Sequence, residues 1–283
     1  SAAIEAWNRQ DWSSVRQKAS SAVAIGPFDF RAYQLLGASN QSLGDPIGAE
    51  AAYRTSFRYH PNEGHLPLAD LLASQGKYSE ARVHYTAEAK LYPNQIKPLM
   101  GVAEMSRQLE DWAEVLRSAN TVLAVEETHS PARRLVADAL EASGDAKGAI
   151  ATYLRILESS PVDPDGHFAF AEFLSRQSDL EGAEVAYGEA IRLAPNRSRY
   201  YNNLGAMLNR ASKPEGAVRA FRDAIEHDET YARAYRNLGD LLEKTGDISG
   251  AIEAYLGFAE HWKGNPEFLK WTNERIAILR GSR

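Results

Sequence analysis

A beat of about 34 residues, the length of a two-helix repeat, runs through this chain and restricts its fold more than any other feature. Ala149-x3-Tyr153, Ala183-x3-Tyr187, Ala217-x3-Phe221 and Ala251-x3-Tyr255 recur at that interval, preceded by Ala49-x3-Tyr53 and Ala81-x3-Tyr85. Pro27 and Pro61 keep the same spacing, as do Pro161 and Pro195, while the step from Pro61 to Pro93 is slightly shorter. A second motif lies upstream in the units: Tyr33-x2-Leu36-Gly37, Tyr201-x2-Leu204-Gly205-x2-Leu208 and Tyr235-x2-Leu238-Gly239-x2-Leu242. A period of this length describes like units stacked in a row, each too small to bury its own apolar face.

Within a unit the apolar spacing is helical. Tyr235, Leu238, Gly239 and Leu242 fall at i, i+3, i+4 and i+7, one face of a helix, and Ala251, Tyr255 and Phe258 repeat the pattern on the next segment. Between the two segments stand Gly44-Asp45, Gly76-Lys77, Gly144-Asp145 and Gly246-Asp247. Glycine takes the left-handed conformation that ends a helix and aspartate opens the next, so each unit reads as helix-turn-helix. Small residues at 37, 69, 103, 137, 171, 205 and 239 share one register, as close packing of the paired helices requires.

These motifs resemble the tetratricopeptide repeat, whose signature is W-x2-L-G-x2-Y, then A-x3-F, then proline within about 34 residues. The resemblance covers nearly the whole chain. It implies an all-α, right-handed superhelical solenoid forming one domain over residues 1–283. Residues 1–29 read as a truncated repeat, followed by repeats at 30–61, 62–95, 96–129, 130–163, 164–197, 198–231 and 232–265, and a capping helix over 266–283. The unit from Ile96 departs from the pattern with Val115 and Ala119, and Glu127, Glu229 and Lys263 replace the closing proline. Ala2, Ala3 and Ala6 fall on core positions of a helix whose opening turn is missing, which suggests a piece of a longer chain. At the other end Phe268, Leu269, Thr272, Ile276 and Leu279 make one apolar stripe with polar residues elsewhere, the expected pattern of a terminal helix.

Several classes of chemistry find no support. The formal charge of −6 and the lack of a Lys/Arg block argue against nucleic acid as a partner. With no cysteine there is no disulfide, thiolate metal site or thiol nucleophile. No apolar run reaches the roughly 18 residues a membrane helix needs. P-loop, G-x-G-x-x-G, G-x-S-x-G and H-E-x-x-H motifs are missing, so no cofactor and no catalytic residue is expected. The seven histidines are scattered without i, i+4 pairing and read as structural or surface residues; His227 and His261, one repeat apart, occupy equivalent sites. Trp12, Trp112 and the tyrosines of the A-x3-Y motif read as packing residues. None of this fixes the compartment, cytoplasmic or periplasmic.

The resemblance also implies where a partner would bind. In such solenoids the first helix of each pair lines the concave surface, with its second, fifth, ninth, twelfth and thirteenth positions facing the groove. The middle of the groove would then present Met100, Glu104, Asp138, Glu141, Asp165, Phe168 and Glu172, and the C-terminal part Arg199, Asn202, Asn209, Arg210, Arg233 and Arg236 beside Asp240 and Glu243. Residues 198–283 carry thirteen Lys/Arg against twelve Asp/Glu, and the rest nineteen against twenty-six. Asn203 and Asn237 share a register that resembles the asparagine ladder of solenoids that hold extended peptides, although Ala169 and Leu135 end it after two rungs. Amides at this position either grip a peptide backbone or tie adjacent helices together. The two-carboxylate clamp of chaperone-binding members is not supported, since Asn202 and Ala206 stand at its positions. The expectation is a non-catalytic scaffold that holds an acidic or extended segment, or a partner helix, in its groove. Alternatives are an architectural module of a membrane-associated or periplasmic secretion complex, or a regulatory solenoid of a larger enzyme.

Overall fold

Helices follow one another through short turns, and no strand occurs among the described residues. The computed structural model describes residues 6–61 and 63–281. The core positions expected at Ala2 and Ala3 lie outside these, while Ala6 is buried. From Trp12 onward the elements are α1 (Trp12–Ile25), then the pairs α2 (Phe30–Ser42) and α3 (Pro46–Tyr59), α4 (His65–Ser74) and α5 (Tyr78–Leu91), α6 (Ile96–Gln108) and α7 (Trp112–Val125), and α8 (Ser130–Ala142) and α9 (Ala146–Ser159). They continue with α10 (Pro164–Arg176) and α11 (Leu180–Leu193), α12 (Ser198–Arg210) and α13 (Pro214–His227), α14 (Ala232–Thr245) and α15 (Ile248–His261), and finally α16 (Pro266–Gly281). Within each of the chain's two compact units, consecutive helices pack on one another in a repeat pattern and first helices of successive pairs also touch, the packing of an all-α solenoid.

The joints inside the pairs follow from one backbone requirement. Gly44, Gly76, Gly144 and Gly246 all have φ between 74° and 89°, the left-handed region that stops a helix at no steric cost to glycine. In the other units Gln10, Glu110, Ser178 and Ser212 take the same role with φ of 57° to 65°. Aspartates then open the second helices: the carboxylates of Asp11, Asp45, Asp111, Asp145, Asp179 and Asp247 accept from the backbone N–H three residues on. Such a cap contributes about 1 kcal/mol to its helix.

The chain divides into two compact units, the first ending at Thr152 and the second beginning at Tyr153. In the first, Ala49 and Tyr53 of α3, Leu68, Leu71 and Leu72 of α4, Tyr85 of α5 and Val102 and Met105 of α6 form one core that runs across three successive pairs. Val115, Ala119 and Val122 of α7 join Leu135 and Ala139 of α8 in another, against which Trp112 packs. In the second unit Tyr153 meets Phe173 with ring centres 5.3 Å apart, and Tyr187, Phe221, Tyr255 and Phe258 are all buried. The tyrosines of the A-x3-Y motif are therefore core residues.

The shared register of small residues has the expected cause. A Cβ on Gly205 would stand 2.7 Å from the Phe221 ring, and one on Gly239 2.8 Å from Tyr255, so the second helix lays its aromatic ring directly on the backbone of the first. The last helix departs from expectation. Thr272, Ile276 and Leu279 are buried, but Phe268, Trp271 and Ile278 are 39%, 42% and 55% exposed, so its outer face is not uniformly polar.

Candidate functional site

Three first helices, α10, α12 and α14, lie next to one another in the second unit and carry Phe168 and the candidate arginines and asparagines, while Met100, Glu104, Asp138 and Glu141 stand on α6 and α8 of the first unit. Arg199, at the second position of α12, lies with its guanidinium carbon 4.3 Å from the centre of the Phe168 ring and reaches Asp165 of α10 at 3.3 Å. Phe168 stacks on Tyr200 with ring centres 4.7 Å apart and meets the edge of Tyr187. The Tyr200 hydroxyl donates to Asp165 at 2.7 Å. Burial, and next the bond to Asp165, push its pKa up to about 12, so it stays protonated and remains a donor.

Phe168 was expected as an apolar groove contact and Asn202 as a polar one; both expectations need correction, since the side chains are 3% and 6% exposed. Phe168 is covered by the Arg199 guanidinium, the stacked Tyr200 ring and the Tyr187 ring. Asn202 is enclosed by a row of amides. The Asn237 amide donates to Asn202 Oδ1 at 2.8 Å, Asn202 donates to Asn203 Oδ1 at 3.1 Å, and Asn203 donates to Glu172 Oε1 at 2.8 Å. One chain of side-chain hydrogen bonds thus links α14 through α12 to α10. Of the two readings open for Asn203 and Asn237, this geometry is that of amides tying adjacent helices together, with part of their donor and acceptor capacity left over.

The remaining cations divide into engaged and open. Arg210 donates to Ser175 of α10. Arg236 has its guanidinium carbon 5.0 Å above Phe268 and 5.8 Å from Trp271, with Asp240 at 3.9 Å. Asp240 and Glu243 both accept from the Tyr255 hydroxyl, at 2.7 and 3.0 Å, and Glu243 also holds Arg275. Burial first, and then the Asp240 bond, raise the Tyr255 pKa. Arg233 is exposed, with no ion pair or hydrogen bond of its side chain among the described residues, and Asn209 is half-buried. A cavity of about 520 Å³ opens beside Arg199 between the start of α12 and the turn before α14, lined by Asp165, Arg197, Tyr200, His227, Asp228 and Tyr231.

In the first unit the groove acid Glu104 is held by Arg107 of the same helix. Burial alone would raise its pKa, but the Arg107 hydrogen bond and charge leave it below the ordinary value. Sequence reading missed Tyr200 and Trp271. Trp271 lies one full repeat beyond Asn237, in the register of Asn203, so a signal for it was present. His227 and His261 do occupy equivalent places, against Tyr201 and Tyr235, with ring centres 4.9 and 5.6 Å apart. Among the described residues no three metal-binding side chains are grouped, and no helix is long and apolar enough to cross a membrane.

The comparisons with known proteins agree with this architecture. The family model described as tetratricopeptide repeat matches residues 35–96, 107–164 and 208–266, more than half of the chain. No curated protein matches the sequence. Among solved structures, yeast Tom70 aligns at a TM-score of 0.74 and 15% identity, over 96% of this chain and 59% of its own, so this chain spans less than two thirds of that one. A tetratricopeptide repeat protein from Parabacteroides merdae aligns at 0.68 and 18% identity, over 86% of this chain and 98% of its own. PilF of Pseudomonas aeruginosa aligns at 0.54 and 22% identity, over 72% of this chain and 86% of its own. With the joints, the glycine-on-ring packing and the repeat register all in place, the chain belongs to the tetratricopeptide repeat family.

Proposed function

We propose that this chain is a non-catalytic scaffold that holds an extended, acidic segment of a partner protein across α10, α12 and α14. Tetratricopeptide repeats serve as protein-interaction scaffolds, which supplies the general class. The finer reading rests on one observation: Arg199, Arg210 and Arg233 are exposed on helices that the amide row holds side by side. Guanidinium groups take carboxylates in bidentate fashion. Arg199 is already oriented by Phe168, so little side-chain freedom is lost when it binds. Arg233 has no side-chain ion pair or hydrogen bond among the described residues, and the rim of Phe268 and Trp271 beside Arg236 offers apolar contact at the C-terminal end.

Exposed ion pairs contribute about 0.2–1 kcal/mol each, so binding is expected to be micromolar and to weaken as salt rises. The test titrates fluorescent extended peptides, acidic, neutral and basic, against the chain, Arg233→Glu, and Arg222→Glu on the exposed side of α13. Selective loss of acidic-peptide binding in Arg233→Glu is the expected result. Equal affinity for all three peptides, or loss only in Arg222→Glu, would move the contact to the second helices and favour the architectural alternative.

A further inference from the structure

The first unit contains a cluster that the groove does not use. His65, the first residue of α4, and His84, in the middle of α5, are 19 residues apart, yet their Nδ1 atoms stand 3.2 Å from each other. The ring centres are 5.5 Å apart, which equals that distance plus the two ring radii, so the nitrogens point at one another along one line. Phe57 of α3 sets its ring edge-on against both, at 4.8 and 5.2 Å. Three helices from two successive repeats therefore meet at this pair. One turn beyond His84, Glu88 is 8% exposed, and its Oε2 has no hydrogen-bond partner.

A line between two Nδ1 atoms has room for one proton: one imidazole donates and the other must offer a lone pair. With a proton on each Nδ1, two N–H groups face each other and the bond is lost. A buried carboxylate oxygen without a partner is costly, and a charged imidazole would relieve that cost. We propose that His65, His84 and Glu88 form a proton-operated joint between the repeats at 30–61 and 62–95. Neutral imidazoles lock α4 to α5 through their mutual bond. The first proton taken up leaves the bond in place, now donated by an imidazolium. A second, on the accepting ring, sets N–H against N–H, breaks the bond, drives the rings apart with one free to turn toward the Glu88 carboxylate, and loosens the stacking on Phe57.

The surroundings fit such a device. Burial is the largest influence on both histidines and lowers both pKa values; the charge of Glu88 opposes it at His65. At His84 the charges of His65 and Arg54 lower the value further, and Glu80 opposes them. Arg54 of α3 is itself held by Glu50 and Glu80, and Lys97 of α6 is taken up by Asp70. The Pro61 carbonyl also acts on His65 and favours its charged form. With folded-state values depressed, the folded chain binds fewer protons than the unfolded chain. The joint is therefore fully stable above about pH 6.5 and weakens as the pH falls through that value.

Hydrogen exchange on the full chain, corrected for the intrinsic rate, tests this at pH 7.5 and 5.5. Protection in α4 and α5 is expected to fall severalfold more than in α12 to α15, because the unfolded chain takes up protons over this range that the folded joint does not. His84→Gln keeps a hydrogen-bonding group but cannot become charged, and should abolish the difference. Glu88→Gln removes the negative charge that favours a protonated His65, and should move the histidine ring titration, followed by NMR, to lower pH. Equal losses in both regions, or wild-type His65 and His84 rings titrating independently at ordinary values, would overturn the proposal even if His84→Gln fails to fold. Zinc that stabilises the wild-type chain at pH 7.5 but not His84→Gln would also overturn it, because the histidine pair would then serve to hold a metal ion.

Discussion

Asn203 shows how one side chain serves packing where its pattern suggested recognition. Its amide bridges α12 to Glu172 of α10, and its carbonyl receives Asn202, which in turn receives Asn237. Asn203→Ala removes two of these bonds in a half-buried setting, so a stability loss of about 1–2 kcal/mol is expected in urea unfolding. A residue used only to grip a peptide would leave the urea midpoint unchanged. Arg199 and Phe168 pair in a related way: the ring buries itself under the cation, and the cation is held ready over the ring.

The helical pair, as an element, is defined by its joint. Seven turns between Gly44 and Gly246 occupy one register, and in three of them a non-glycine residue, Glu110, Ser178 or Ser212, carries φ of 57° to 65°. A left-handed L-residue costs roughly 1–2 kcal/mol, part of which glycine loses again through the freedom of the unfolded chain. Glu110→Gly, Ser178→Gly and Ser212→Gly are each expected to raise stability by about 0.5–1 kcal/mol in chemical denaturation, and Gly144→Ala to lower it. No gain from any of the three would show that these turns are relaxed by contacts other than backbone conformation. The second defining feature is the ring laid on glycine, Phe221 on Gly205 and Tyr255 on Gly239, which sets how closely the two helices of a pair approach.

Within each unit a helical pair touches chiefly its neighbours, so stability is a sum of local terms with nearest-neighbour coupling. Phe221, buried against Gly205, tests this. Phe221→Ala is expected to cost about 3–5 kcal/mol, and the loss of hydrogen-exchange protection should be deepest in α12 and α13, smaller in α10, α11, α14 and α15, and least in α2 to α5. Uniform loss across all helices would instead describe one cooperative body. The same locality lets an acid-sensitive joint at His65 and His84 act on its own repeats while the arginine-bearing helices stay closed.

The order of amino acids is enough to set the helices, their pairing and the core. Helix periodicity, left-handed glycines, aspartate caps and the A-x3-Y rings are local or strictly periodic signals, and the repeat restates them until chance is excluded. It also places the candidate cations on first helices, because position along a first helix is part of the same period. What each side chain does there is settled by packing in three dimensions. Phe168 and Asn202 sit at a position that faces the groove in the pattern, yet they are buried, because Arg199, Tyr187 and Tyr200 close over the ring and the amides of adjacent repeats satisfy one another. His65 and His84 meet across a turn with no spacing rule to announce them. Period fixes where a Cα lies; rotamer, reach and competition among neighbours from different repeats fix which contacts form, and these depend on residues that the period does not constrain.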